Sequence, residues 1–206
     1  MLIPSFLMLF RLAPVPTAPH ATGPRIAFTA FYNGQWDVYS VSPDGDDVRN
    51  LTNDMAEEAD PAYSPDGTRL AYAARRNNNW DIYVLNLQTG HETRLTDHPQ
   101  YDGAPAWNPD GNTLAFESFR SGDLDIWLVE AAAGNIPRNL TADSPAGEFD
   151  PAWDGQGRRL FFASWRGGTN SLWALDLPTG NLEQLTTASS SDSQPAWDST
   201  GQRLAF

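Results

Sequence analysis

The sequence predicts an all-β chain: a β-propeller of four-stranded antiparallel blades, about four of them, forming an incomplete, open arc. Three observations carry this. One segment recurs at spacings of 44, 46 and 44 residues. Each recurrence divides into four short apolar runs of strand length, separated by turn residues. No stretch sustains a helical period.

The elements justify themselves in order. The leader is residues 1–24, an apolar run at 2–10 followed by a Pro/Ala-rich linker. Nine apolar residues are too few to span a bilayer, which needs about 20. The run partly fits the apolar core of a secretory signal, although no basic residue precedes it and Pro4 interrupts it. A disordered leader or a misassigned start fits equally. The repeat array then occupies 25–206.

Its marker is Pro61-Ala62-Tyr63-Ser64-Pro65-Asp66-Gly67, running on to Leu70-Ala71-Tyr72. It returns from Pro105-Ala106-Trp107 to Leu114-Ala115-Phe116, from Pro151-Ala152-Trp153 to Leu160-Phe161-Phe162, and from Pro195-Ala196-Trp197 to Leu204-Ala205-Phe206. Two further markers keep the same beat. One is Asp37-Val38-Tyr39, Asp81-Ile82-Tyr83, Asp125-Ile126-Trp127 and Ser171-Leu172-Trp173. The other is the Leu-Thr of 51–52, 95–96, 140–141 and 185–186.

Strands A (PAW), B (LAF), C (DIY) and D (RLT) follow from these. Pro-Asp-Gly joins A to B, with proline presetting φ and glycine taking φ > 0. Thr-Gly or Asp44-Gly45 joins C to D. Register divides the array into a partial blade 25–52 (B, C, D), blades 61–96, 105–141 and 151–186, and a partial blade 195–206 (A, B). The fourth unit departs from the pattern, with Asp154-Gly155-Gln156-Gly157 in its turn and Ser171 for aspartate. The economical expectation is a fragment of a larger propeller. The strand-A aromatics Tyr63, Trp107, Trp153 and Trp197 are expected to pack between blades.

Composition narrows the function. Thirteen basic residues, all arginine, face 26 acidic ones, a net charge of −13. Nucleic-acid binding needs clustered cations, and so does docking on anionic lipid. No nucleic-acid partner and no membrane insertion are expected. With no cysteine and three histidines, thiol chemistry is excluded and His-based chemistry has little to work with. No nucleophile elbow, zinc helix or nucleotide glycine loop occurs. No cofactor, metal or catalytic residue is therefore expected, although acids of the D–A loops (Glu57, Glu58, Asp60, Asp102, Asp143, Glu148, Asp150) have the oxygen chemistry for Ca²⁺. Solvated surface charge is the reading preferred for them.

The consensus P-A-W-S-P-D-G-x-x-L-A-F…D-I-Y…T-G…R-L-T resembles the WD40-like PD40 repeat of the TolB-type propeller family over 25–206. The resemblance implies a non-enzymatic protein-interaction propeller acting in the periplasm or cell envelope. The alternative is the substrate-gating propeller of a prolyl-oligopeptidase-like serine peptidase. A propeller lyase acting on acidic sugars would need clustered histidines that this sequence lacks.

Strand direction places the tight A–B and C–D turns on one face, and the longer B–C and D–A connections on the other. The second face is the expected partner surface. Its candidates are Trp36, Arg75, Arg76, Trp80, Arg120, Trp165 and Arg166, side chains favoured at protein interfaces. Arg76, Arg120 and Arg166 recur in register, which also fits pairing with acids within the blades.

Overall fold

The computed structural model describes residues 23–187, 191–198 and 203–206. Nearly all of the expected leader, 1–24, lies outside them. Seventeen strands and no helix occur among the described residues. The first sheet is β1 (Ile26–Tyr32), β2 (Gln35–Val41) and β3 (Arg49–Asn50). Three four-stranded antiparallel sheets follow. They are β4 (Glu57–Tyr63), β5 (Arg69–Arg76), β6 (Asn79–Asn86) and β7 (Glu92–Arg94); β8 (Asp102–Trp107), β9 (Thr113–Ser118), β10 (Asp125–Glu130) and β11 (Arg138–Asn139); and β12 (Glu148–Trp153), β13 (Arg159–Ser164), β14 (Ser171–Asp176) and β15 (Leu182–Gln184). A two-stranded sheet, β16 (Ala196–Trp197) and β17 (Leu204–Ala205), ends the series.

The first strand of each later sheet packs on the sheet before it: β4 on β1 and β2, β8 on β4 to β6, β12 on β8 to β10, and β16 on β12. The first and last sheets do not touch, so the described residues form an open arc. The turns follow the residues that need them. Gly67 and Gly111, at φ +68 and +71, close the Pro-Asp-Gly turns with N–H bonds to Ser64 and Asn108. The divergent fourth turn is built the same way, with the Gly157 N–H bonded to Asp154 O.

Strand B explains its own motif. Leu70, Tyr72 and Ala74 of β5 face the first sheet, among Val38, Tyr83 and Leu87. Ala71 and Ala73 face the third sheet and make room for Trp107, Leu114 and Phe116. In β9 the small residue is Ala115, packed with Trp153, Leu160 and Phe162 of the fourth sheet. In β5 and β9 large residues thus point back along the array and small ones forward, whereas β13 places Phe161 forward. Both faces are buried, so the strand reads as a continuous apolar run. The strand-A tryptophans act as expected between blades. The Trp107 indole N–H donates to Ala62 O and that of Trp153 to Ala106 O, both at 3.0 Å. Trp197 stacks on Phe161 at 4.9 Å.

Two expectations need correction. Strand A begins earlier than its proline suggests. A bulge precedes each motif, with Asp60, Ala104 and Asp150 at positive φ, and the strand continues upstream of it. A proline has no N–H to give a ladder and is tolerated at a bulge. Glu57, Glu58, Asp60, Asp102, Glu148 and Asp150 therefore lie on strands, and only Asp143 of the set is in a loop. In the first two sheets the B–C connections are two-residue turns, Asn33-Gly34 and Asn77-Asn78, all at positive φ as tight hairpins require. Trp36, Arg75, Arg76 and Trp80 consequently sit on strands rather than in loops.

Truncating Trp153→Ala removes an inter-sheet anchor and should cost about 3–5 kcal/mol. Trp153→Phe, which loses mainly the indole bond, should cost about 1 kcal/mol. Urea unfolding of both variants measures the difference.

Candidate interaction face

The face formed by the B–C and D–A connections rests on a repeated hydrogen-bonded unit. The strand-D threonine accepts the N–H of the residue after the strand-C acid. Thr52 takes that of Val38, Thr96 that of Ile82, Thr141 that of Ile126 and Thr186 that of Leu172, at 2.9–3.0 Å. The hydroxyl proton then serves a carboxylate: Thr52 donates to Glu58 and Thr141 to Asp125, both at 3.0 Å. The strand-C acid is held by the residue two before the threonine, with Asn50 on Asp37 (2.6 Å), Arg94 on Asp81 (2.7 Å) and Asn139 on Asp125 (2.7 Å). The D-I-Y and R-L-T markers are two halves of one latch. Where Ser171 replaces the aspartate, Gln184 bonds to Thr186 O instead.

A second acid is buried at the start of each strand A: Glu58, Asp102 and Glu148. In the third and fourth sheets the repeated arginine neutralises it. Arg120 donates to Asp102 at 2.6 Å and Arg166 to Glu148 at 3.0 Å. Ser118 and Ser164 orient these loops, their hydroxyls accepting the N–H of Arg120 and Arg166. Even so, burial outweighs Arg166 and pushes the Glu148 carboxyl up. In the second sheet the serine position is Ala74, the hairpin stays tight, and Arg76 leaves its acid. It lies over the Tyr83 ring (4.2 Å) and bonds to Glu92 and, at 2.8 Å, to Asp54.

The inner strands carry a further ladder. Asp60 accepts the Ala104 N–H at 3.3 Å, and Asp150 accepts the Gln194 N–H at 3.1 Å. Between them Ala104 offers no carboxylate, and Glu117 reaches in from β9 to take the Asp150 N–H at 3.0 Å. Burial pushes the Glu117 carboxyl up to about 7. No group of three or more acids and histidines among the described residues is arranged to hold a metal ion.

The seven candidates thus divide. Arg76, Arg120 and Arg166 are spent on the acids described, and Trp80 packs against the core between the second and third sheets. Trp36 is 47 % exposed and lies against Phe31. Arg75 is exposed and makes a surface pair with Glu57 at 3.2 Å. Trp165 is 51 % exposed. Phe31, Arg75, Phe119 and Trp165 occupy one register position, spaced 44, 44 and 46, and all four project into solvent. The repeat spacing contained that signal. It went unread because the residue type changes from blade to blade.

Stacked four-stranded sheets in an open arc, latched by a repeat of this period, define a β-propeller domain. The chain belongs to the family of the tricorn protease N-terminal beta propeller domain, whose sequence profile matches residues 16–206. Among solved structures it is similar to TolB from Acinetobacter baumannii, with 23% identity and a TM-score of 0.80, over 88% of this chain and 46% of that one. It is also similar to a putative TolB from Agrobacterium tumefaciens, with 25% identity and a TM-score of 0.74, over 86% of this chain and 67% of that one. A puromycin-hydrolyzing peptidase of Mycobacterium tuberculosis shares the fold at 18% identity and a TM-score of 0.59, over 79% of this chain and 29% of that one. The chain thus spans less than half of the Acinetobacter protein. No curated protein sequence matches it significantly.

Arg120→Ala would leave Asp102 buried without its countercharge and should cost about 3–5 kcal/mol. Arg75→Ala removes only an exposed pair and should change stability by less than about 1 kcal/mol. Chemical denaturation midpoints separate the two.

Proposed function

We propose that this chain is a non-enzymatic, TolB-like protein-interaction propeller of the periplasm or cell envelope, binding its partner through the B–C face. The observation that carries this reading is the row of exposed, non-repeating side chains Phe31, Arg75, Phe119 and Trp165, with Trp36 beside Phe31. The repeated residues of that face are occupied in holding the sheets together. Side chains free of structural duty on a rigid scaffold are the ones available for recognition, and aromatic residues with arginine dominate binding hot spots. The likeness to TolB supports the choice of compartment.

The second reading is a substrate-gating propeller of a prolyl-oligopeptidase-like serine peptidase. It is favoured by the shared fold of the puromycin-hydrolyzing peptidase. Affinity capture from a cell-envelope extract tests the first reading. A specific partner should be lost at least tenfold in Phe119→Ala/Trp165→Ala and retained in Ile136→Ala, which alters an exposed residue of the opposite face. Unchanged capture by the double variant would overturn the face. A captured protein labelled by a serine-hydrolase-reactive fluorophosphonate would favour the peptidase reading.

A further inference from the structure

The three complete junctions between neighbouring sheets are built alike, with one exception that has consequences. Each buries a strand-C acid beside the next sheet's strand-A acid: Asp37 with Glu58, Asp81 with Asp102, and Asp125 with Glu148. Asp102 and Glu148 each receive an arginine. Glu58 receives none among the described residues, because Arg76 has been drawn away to Glu92 and Asp54. Glu58 Oε2 accepts the Thr52 hydroxyl. Glu58 Oε1 is buried without any N–H or O–H donor, as is one oxygen each of Asp37, Asp81, Asp102 and Glu148. What sets Glu58 apart from Asp102 and Glu148 is that no arginine reaches its other oxygen either.

The groups facing Glu58 can be named element by element. Its strand partner on β5 is Ala74, which is uncharged. Tyr72 of the same strand gives its hydroxyl to Glu92. From β2 comes Asp37, held by Asn50 and by Tyr39 at 3.5 Å. From the loop after β3 come Thr52 and Asp54. Asp54 has one donor on each oxygen, the Ala56 N–H on Oδ1 at 2.6 Å and Arg76 on Oδ2 at 2.8 Å, and each oxygen can still accept another. An ionised Glu58 would stand beside two further acids, Asp37 and Asp54, with Arg76 engaged by Glu92 and Asp54. A carboxyl proton on Glu58, with Asp54 beside it as acceptor, removes the Glu58 charge.

We propose that the junction between the first and second sheets is closed by a proton held between Glu58 and Asp54, and that its loss loosens the 53–56 loop and the adjoining hairpin tip. The loop and the tip are linked directly, since the Gln35 side chain donates to Asp54 O at 2.7 Å. That hairpin carries Phe31 and Trp36, so the device sits beneath the exposed aromatics, although it holds whether or not they bind a partner. The other two junctions carry an arginine, Arg120 or Arg166, at the place where this one has none.

Burial first, then Asp54, pushes the Glu58 carboxyl up from 4.5 to about 8. The closed junction therefore binds a proton that the opened one releases. Closure is at full strength below the ordinary value and is lost as pH rises toward the raised one.

Two measurements on the intact protein test this. Carboxyl-carbon NMR titration should find Glu58 titrating well above the ordinary glutamate range. Hydrogen exchange of the Val38 amide, which is bonded to Thr52 in this junction, should report an opening constant, corrected for intrinsic exchange, that rises by up to about tenfold per pH unit between about pH 5 and 8. In Glu58→Gln, which keeps the shape of the protonated acid, the rise should vanish. A Glu58 midpoint near 4.5, or a Val38 rise that persists in Glu58→Gln, would contradict the proposal. Should that variant fail to fold, the titration of the unmodified protein decides alone.

Discussion

A four-stranded sheet with two apolar faces has no stable existence alone in water, and everything else in this chain answers to that constraint. Each sheet must be covered on both sides by a neighbour. The covering works through volume, because forward-facing alanines on strand B receive the tryptophan and the large strand-B residues of the next sheet. The indole N–H groups of Trp107 and Trp153, which burial would otherwise orphan, find carbonyls on the preceding strand A. Packing and polar satisfaction are thus met by the same side chains.

The polar ends of the junctions follow the same logic at higher electrostatic stakes. Bringing two carboxylates together under cover is costly unless donors meet them. Threonine and asparagine supply neutral donors, and Arg120 and Arg166 supply charge. Where Ser118 and Ser164 give way to Ala74, the hairpin is tight and Arg76 turns to Glu92 and Asp54. The first junction is chemically unlike the others in having no arginine on its strand-A acid. Arg76, Arg120 and Arg166, which look like binding candidates in the sequence, are engaged by acids of the scaffold.

The repeat made the fold legible because packing and turn chemistry recur. Tryptophan, Pro-Asp-Gly and the Leu-Thr pair each mark a fixed place in every sheet, so strand number and order followed from register. Strand limits were less legible. Pro61, Pro105 and Pro151 look like strand starts, yet each follows a bulge inside a longer strand. The acids upstream were therefore read as loop charge when Glu58, Asp102 and Glu148 are buried. Arg76, Arg120 and Arg166 share a register but not a partner, and the hairpins that carry them differ in shape. The exposed row at 31, 75, 119 and 165 escaped because it is conspicuous only once solvent exposure is known.

Each sheet owes its stability to its neighbours. Native-state hydrogen exchange, read strand by strand, tests it most directly. Amides of β5 and β9, in sheets covered on both sides, should be the most protected, and those of β1 and β17, at the ends of the arc, the least. Equal protection along the array, or greater protection in the end sheets, would contradict it.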